Sequence, residues 1–251
     1  MFNIYYFLII FIAGLIIGSF LNVLICRLPD IKSIIFKRSH CPDCKVKLAW
    51  YDLVPLFSFL MLAQKCRYCG VKISIQYPLV ELSTALIFGL LYYLFGLTGL
   101  SLFLMLISCF MIVILVYDIY HQIILDELIY PALVISVIYL FFNTSIDFSH
   151  KLLGAGVGLA IIAIIYLFTK GKGIGFADIK LAALMGLIVG WPGILTALFL
   201  AFVVGAIYGL ILIGQKKKQW KSAIAFGPFL IIGFYITLFW GEKILSWYLG
   251  V

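Results

Sequence analysis

The chain has 251 residues, of which 65% are hydrophobic and only 11% charged, with a mean hydropathy of +1.22. A soluble domain carries about 25% charged residues, so this composition excludes an ordinary soluble enzyme and fits an integral membrane protein. The net charge of +8 would suit a nucleic-acid binder in a soluble chain. Here Lys and Arg gather in loops, and membrane topology accounts for them without nucleic acid as a partner.

Apolar runs able to cross a hydrocarbon core, about 20 residues, are expected at 4–26, 79–95, 100–117, 123–142, 152–168, 179–189, 194–213 and 224–249. The first begins almost at Met1, lacks a basic n-region and is too long for a signal-peptide core, so it reads as a membrane span. The sixth is short, and either Trp191 extends it or it crosses a thinned bilayer. The one sizeable polar stretch, 27–78, is too small to build a core without a staple. The expected fold is an all-α polytopic membrane protein of about eight transmembrane helices with a small cytoplasmic zinc-ribbon-like insertion. Its divisions are a first transmembrane helix (1–26), the loop domain (27–78) and a membrane core (79–251).

Orientation follows from the positive residues, which favour the cytoplasmic side. Arg27, Lys32, Lys37, Arg38, Lys45, Lys47, Lys65, Arg67 and Lys72 fall in the first polar loop. Lys170, Lys172 and Lys180 surround the start of the sixth span, and Lys216, Lys217, Lys218 and Lys221 precede the last. The opposite side keeps only Lys151 and Lys243. Both termini are therefore expected outside, in a multi-pass protein of the bacterial inner membrane.

The staple for the loop is a pair of C-x-x-C knuckles, Cys41-Pro-Asp-Cys44 and Cys66-Arg-Tyr-Cys69. Their separation is that of zinc ribbons, and four thiolates make a closed, structural tetrahedral site. Disulfides are the competing reading, disfavoured in a reducing cytoplasm. Gly70 suits the tight turn of the second knuckle. Cys26 and Cys109 lie in apolar spans and read as packing residues.

Asp118 ends the third span and Asp178 opens the sixth. A carboxylate at membrane depth costs about 2.5–3.5 kcal/mol on insertion scales and is usually functional. Two carboxyls from different helices can share a proton and activate water. The plainer alternatives are a helix N-cap for Asp178 and a solvated interfacial position for Asp118. Asp126 and Glu127 read as first-turn acids favoured by a helix dipole, and His121 as a solvated turn residue. Glycines 171, 173 and 175 would let substrate backbone approach Asp178 closely.

These motifs, taken in order, resemble the type IV prepilin peptidases, membrane aspartic proteases of the GxGD type that often double as N-methyltransferases. The resemblance rests on Gly18-Ser-Phe-Leu-Asn22-Val, Arg27-Leu-Pro29, the two cysteine pairs, Pro55-Leu56, Tyr77-Pro-Leu-Val-Glu81-Leu, the Asp118 and Asp178 segments and Phe226-Gly-Pro-Phe-Leu. It implies Asp118 and Asp178 as catalytic residues facing the cytoplasm, with 79–251 as the peptidase core. Prepilins or pseudopilins are the implied substrates and the lipid bilayer the medium. It further implies structural Zn2+ on Cys41, Cys44, Cys66 and Cys69, and S-adenosylmethionine where the protein is bifunctional. Glu81, Gly175, Lys180 and Asp126 are candidates for contacts to substrate or methyl donor. Glu81 in a structural ion pair with a loop Lys or Arg is the competing reading. Two residues depart from the family pattern: Ala177 stands for the glycine before the second aspartate, and Leu125 for the proline before Asp126. Two other classes stay open on residues alone. One is a proton- or cation-coupled transporter using the paired aspartates; the other is a metal-stapled scaffold without catalysis.

Overall fold

A computed structural model of the chain describes residues 3–28, 39–143, 147–171, 173–215 and 225–249. Pro29, Lys32, Lys37, Arg38, Lys172, Lys216, Lys217, Lys218, Lys221 and the expected start of the last span at Ile224 lie outside the described residues.

Eight long helices are present among the described residues, as expected. They are α1 (Ile4–Arg27), α3 (Gln76–Phe95), α4 (Gly99–His121), α5 (Asp126–Phe142), α6 (Phe148–Thr169), α7 (Phe176–Val189), α8 (Gly193–Gly214) and α9 (Gly227–Leu249). A 3-10 turn (Trp50–Leu53) and the short α2 (Phe57–Met61) lie between α1 and α3. No strand forms among the described residues; the knuckles carry only isolated bridges, His40 to Lys47 and Lys65 to Lys72. Six of the long helices are long and apolar enough to cross a bilayer; α5 and α7 fall short of that length.

The chain forms two compact units, Met1–Val113 and Ile114–Val251, with the boundary inside α4. In the first, α1 packs along α3. Gly14 and Gly18 make this possible, because a Cβ at either would fall 2.6 Å from Ala85 Cα or 2.7 Å from Glu81 Cα. Asn22, four residues on, donates from Nδ2 to the Tyr77 carbonyl (3.1 Å) and ties the ends of the two helices.

In the second unit α7 is central, packing on α5, α6, α8 and α9. Beyond Asp178 and Lys180 near its start it is apolar on every side, and nearly all of its residues from Asp178 to Ile188 are buried. A helix so enclosed by protein need not span the lipid by itself. Its brevity follows from this position rather than from an extension by Trp191: it stops at Val189, where Gly190 takes φ 75°. Lys151 Nζ donates to the Ile188 carbonyl, placing a cation at the negative end of the helix.

Candidate active site

Asp118 belongs to the last turn of α4 and Asp178 to the first turn of α7, and both line one cavity of about 380 Å3 within the second unit. Their side chains are buried, leaving only 4% and 5% of the residues exposed. The two acids thus reach one cavity from the ends of different helices.

Each carboxyl faces a glycine N–H. Gly175, the N-cap of α7, donates to Asp178 Oδ2 at 2.8 Å, and Asp178 N–H returns to the Gly175 carbonyl at 3.1 Å. Asp178 is thus the third residue of its helix, bonding back to the cap, and not the N-cap itself. The backbone N–H of Gly227, the first residue of α9, faces the Asp118 carboxyl. The orphan N–H groups of two helix starts therefore point at the two acids.

Gln122, in the turn after α4 with φ 55°, and Phe226, just before α9, complete the cavity wall with Gly173 and Ile174. Ala177 occupies the second position of α7 with ordinary helical backbone, so the alanine meets no need for glycine geometry there. The left-handed glycine in this stretch is Gly171, at φ 72°.

Asp126 and Lys180 do not line this cavity. Lys180 Nζ bonds both Asp126 oxygens, at 2.7 and 2.9 Å, and lies over the Tyr130 and Phe176 rings at 4.9 and 5.1 Å. The pair pins the first turn of α5 to the second turn of α7. Glu127 shares that first turn, as the dipole reading expects. His121 is exposed, its ring against Tyr117 at 4.3 Å.

The first unit holds two further arrangements. The thiols of Cys41, Cys44, Cys66 and Cys69 all lie within 4.8 Å of one another, and Cys41 Sγ stands 3.9 Å from Cys69 Sγ. Tetrahedral metal–thiolate bonds of about 2.3 Å require sulfurs about 3.8 Å apart, so this set can hold one ion. The knuckles share one construction: Cys41 N–H bonds the Val46 carbonyl and Cys66 N–H that of Val71, with Lys45 and Gly70 at φ 56° and 73° closing the turns. The N–H groups of Tyr68 and Cys69 aim at Cys66 and pull its thiol down to about 7, favouring the ligating thiolate. Cys26 and Cys109 lie apart from the cluster, Cys26 exposed with its sulfur 3.5 Å from the Tyr77 hydroxyl.

Glu81 is buried in α3, and no cation within salt-bridge distance is found for it among the described residues. Its Oε2 accepts the Leu56 N–H at 2.8 Å. It lines a cavity of about 350 Å3 with Ser19, Arg67, Gln76 and Tyr77, walled on another side by Cys41 and Cys66. Glycines 18 and 227 stand out as motif members, but their tasks depend on what the fold places opposite them, backbone for Gly18 and the Asp118 side chain for Gly227.

Fold and site together define a polytopic membrane enzyme whose helix ends bring two acid side chains to one cavity. Residues 12–95 match the bacterial peptidase A24 N-terminal domain and residues 105–210 the type IV leader peptidase family. A prepilin leader peptidase/N-methyltransferase of Xanthomonas campestris pv. campestris is 35% identical over 263 residues, covering 94% of this chain and 92% of that one. A protein of the same name in Bacillus subtilis is 34% identical, covering 96% and 97%. One in Pseudomonas aeruginosa is 32% identical, covering 95% and 91%. The chain belongs to the type IV leader peptidase family. No solved structure matches it.

Proposed function

We propose that the protein is a membrane aspartic endopeptidase that removes the basic leader of type IV prepilins or pseudopilins at the cytoplasmic face of the inner membrane. The observation that carries this reading is the convergence of Asp118 and Asp178, both buried, on one cavity. Carboxyls that feel each other's charge do not both ionise readily, so the pair holds one proton. The ionised member takes a proton from water as the water attacks the scissile carbonyl. The neutral member donates to the carbonyl oxygen, and the departing amine is protonated as the C–N bond breaks. The glycine N–H groups keep the carboxyls aimed at the cavity. The positive residues of the loops support the cytoplasmic orientation.

Co-expression with a prepilin and intact-mass measurement of the product tests this. Asp118→Asn and Asp178→Asn are each expected to lower cleavage by roughly 10²–10⁴-fold or more, with membrane insertion unchanged. Cleavage that persists in both single variants refutes the dyad.

A second activity, N-methylation of the new N-terminus, is favoured by the first-unit cavity. Arg67 of the same cavity is paired with Asp52. A buried carboxylate on a cavity wall with no cation in salt-bridge contact among the described residues suits a cationic ligand, here the ammonium and sulfonium of S-adenosylmethionine or the pilin amine. Glu81 would hold that cation, and the donor, when bound, supplies the methyl group. Cys41, Cys44, Cys66 and Cys69 would hold a structural Zn2+ that fixes the knuckles forming one wall. The same mass measurement reads methylation.

A further inference from the structure

The short helix α2 lies deeper than a loop hanging free in water would. Leu56, directly before it, donates its N–H to Glu81, which is five residues past the first residue of α3 and so about 7.5 Å along the helix axis. The cavity that Glu81 shares with the inner side of α2 also reaches Ser19, eight residues before the end of α1, or about 12 Å. The inner side of α2, Ser58 and Phe59 with Leu62 beyond it, faces the cavity beside Ser19 and Tyr77. Its outer side presents Phe57, Leu60 and Met61, which are 59%, 72% and 70% exposed.

Those three positions follow the i, i+3, i+4 pattern of one helix face. At the same level the outward surfaces of α1 and α3 are also apolar, through Phe20, Leu79 and Leu82. In a helix pair that spans a bilayer this surface meets lipid, and the exposed α2 face has the same apolar character. The knuckles that flank α2 in the chain expose Lys45, Lys47, Lys65 and Lys72, which complement anionic headgroups.

We infer that α2 is an interfacial anchor, with Phe57, Leu60 and Met61 inserted at the boundary between headgroups and acyl chains. The cysteine module is thereby held against the membrane surface instead of standing off in water, and the Glu81 cavity opens at that depth. This inference does not rest on the peptidase reading, because it concerns only the first unit and its lipid.

The test is photo-crosslinking in the full chain, reconstituted in vesicles of phosphatidylethanolamine and phosphatidylglycerol with prepilin present. The photoreactive residue p-benzoylphenylalanine replaces Leu60, and in a second protein Met61, so that failure of one variant to accumulate leaves the other. Leu86, outward-facing midway along α3, serves as the lipid reference, and Asp43 on the first knuckle as the solvent reference. Lipid adducts at Leu60 and Met61 are expected at yields comparable with Leu86 and several-fold above Asp43. Adducts predominantly to prepilin or to a second copy of the chain overturn the inference, as does lipid labelling no higher than at Asp43.

Discussion

Gly227 shows how much one missing methyl can matter. A Cβ built there would fall 2.5 Å from Asp118 Oδ2, an impossible approach. The obstructing atom is the tip of a side chain and not backbone, so an alanine is accommodated by swinging Asp118 aside. Gly227→Ala is therefore expected to fold and insert normally while kcat for leader cleavage falls about 10²-fold, the scale of an ångström-sized misplacement. KM should change little, since the cavity wall is retained. An unchanged kcat in the purified variant contradicts the positioning role. The two aspartates were legible in the sequence because charges bordering apolar runs stand out. Their glycine partners were not, because Gly227 meets Asp118 from 109 positions away and only the folded chain brings the start of α9 to the end of α4. Gly175 is local to Asp178, yet the sequence left open whether the acid caps the helix or bonds back to its cap. The Asp126–Lys180 pair was hidden for a similar reason: both residues looked like candidates for ligand contact, and each turned out to bond the other.

At the scale of elements, the strongest constraint is the α6–α7 contact. A Cβ at Gly154 would fall 2.6 Å from the Gly186 carbonyl oxygen, one at Gly186 would strike the Gly154 carbonyl, and one at Gly158 would lie 2.7 Å from the Ala182 carbonyl. These obstacles are backbone, which cannot swing away. Gly186→Ala should cost stability at or above the upper end of the roughly 1–3 kcal/mol typical of overpacking. It should also displace α7, which carries Asp178, so cleavage falls with stability. Gly156 lies on the open side of α6 with nothing within 4 Å, and Gly156→Ala should leave both unchanged. Thermal unfolding of the two detergent-solubilised variants checks the contrast, and equal midpoints count against it. The spans themselves were legible to within a few residues, since twenty-residue apolar runs leave little freedom in a bilayer. The short sixth span was the ambiguous one: periodicity does not tell a helix sheathed by protein from one thinning the membrane. Nor does composition reveal that α2 folds back beside Glu81, a placement set by one hydrogen bond between residues 25 apart.

At the scale of the whole chain, the residues bearing the two chemistries fall in different compact units. The cysteine cluster, Glu81 and its cavity belong to Met1–Val113, whereas Asp118, Asp178 and the two glycines that face them belong to Ile114–Val251. The hydrogen bond that seats Asp178 comes from Gly175 of its own unit. Methylation and cleavage are therefore expected to be separable by substitution. The double change Cys41→Ser with Cys66→Ser removes two of four ligands, and a closed tetrahedral site with two thiolates loses its hold on the ion. Metal content measured by mass spectrometry should fall to background. The knuckle wall of the Glu81 cavity then loosens, and co-expressed pilin should emerge cleaved but unmethylated. Glu81→Gln reaches the same product by another route: the metal stays, the cavity keeps its shape, and only the negative charge offered to a cation is lost. If both variants insert and retain the second unit, yet lose cleavage together with methylation, the chemistries are not divided in this way, and the first-unit cavity then serves the peptidase instead.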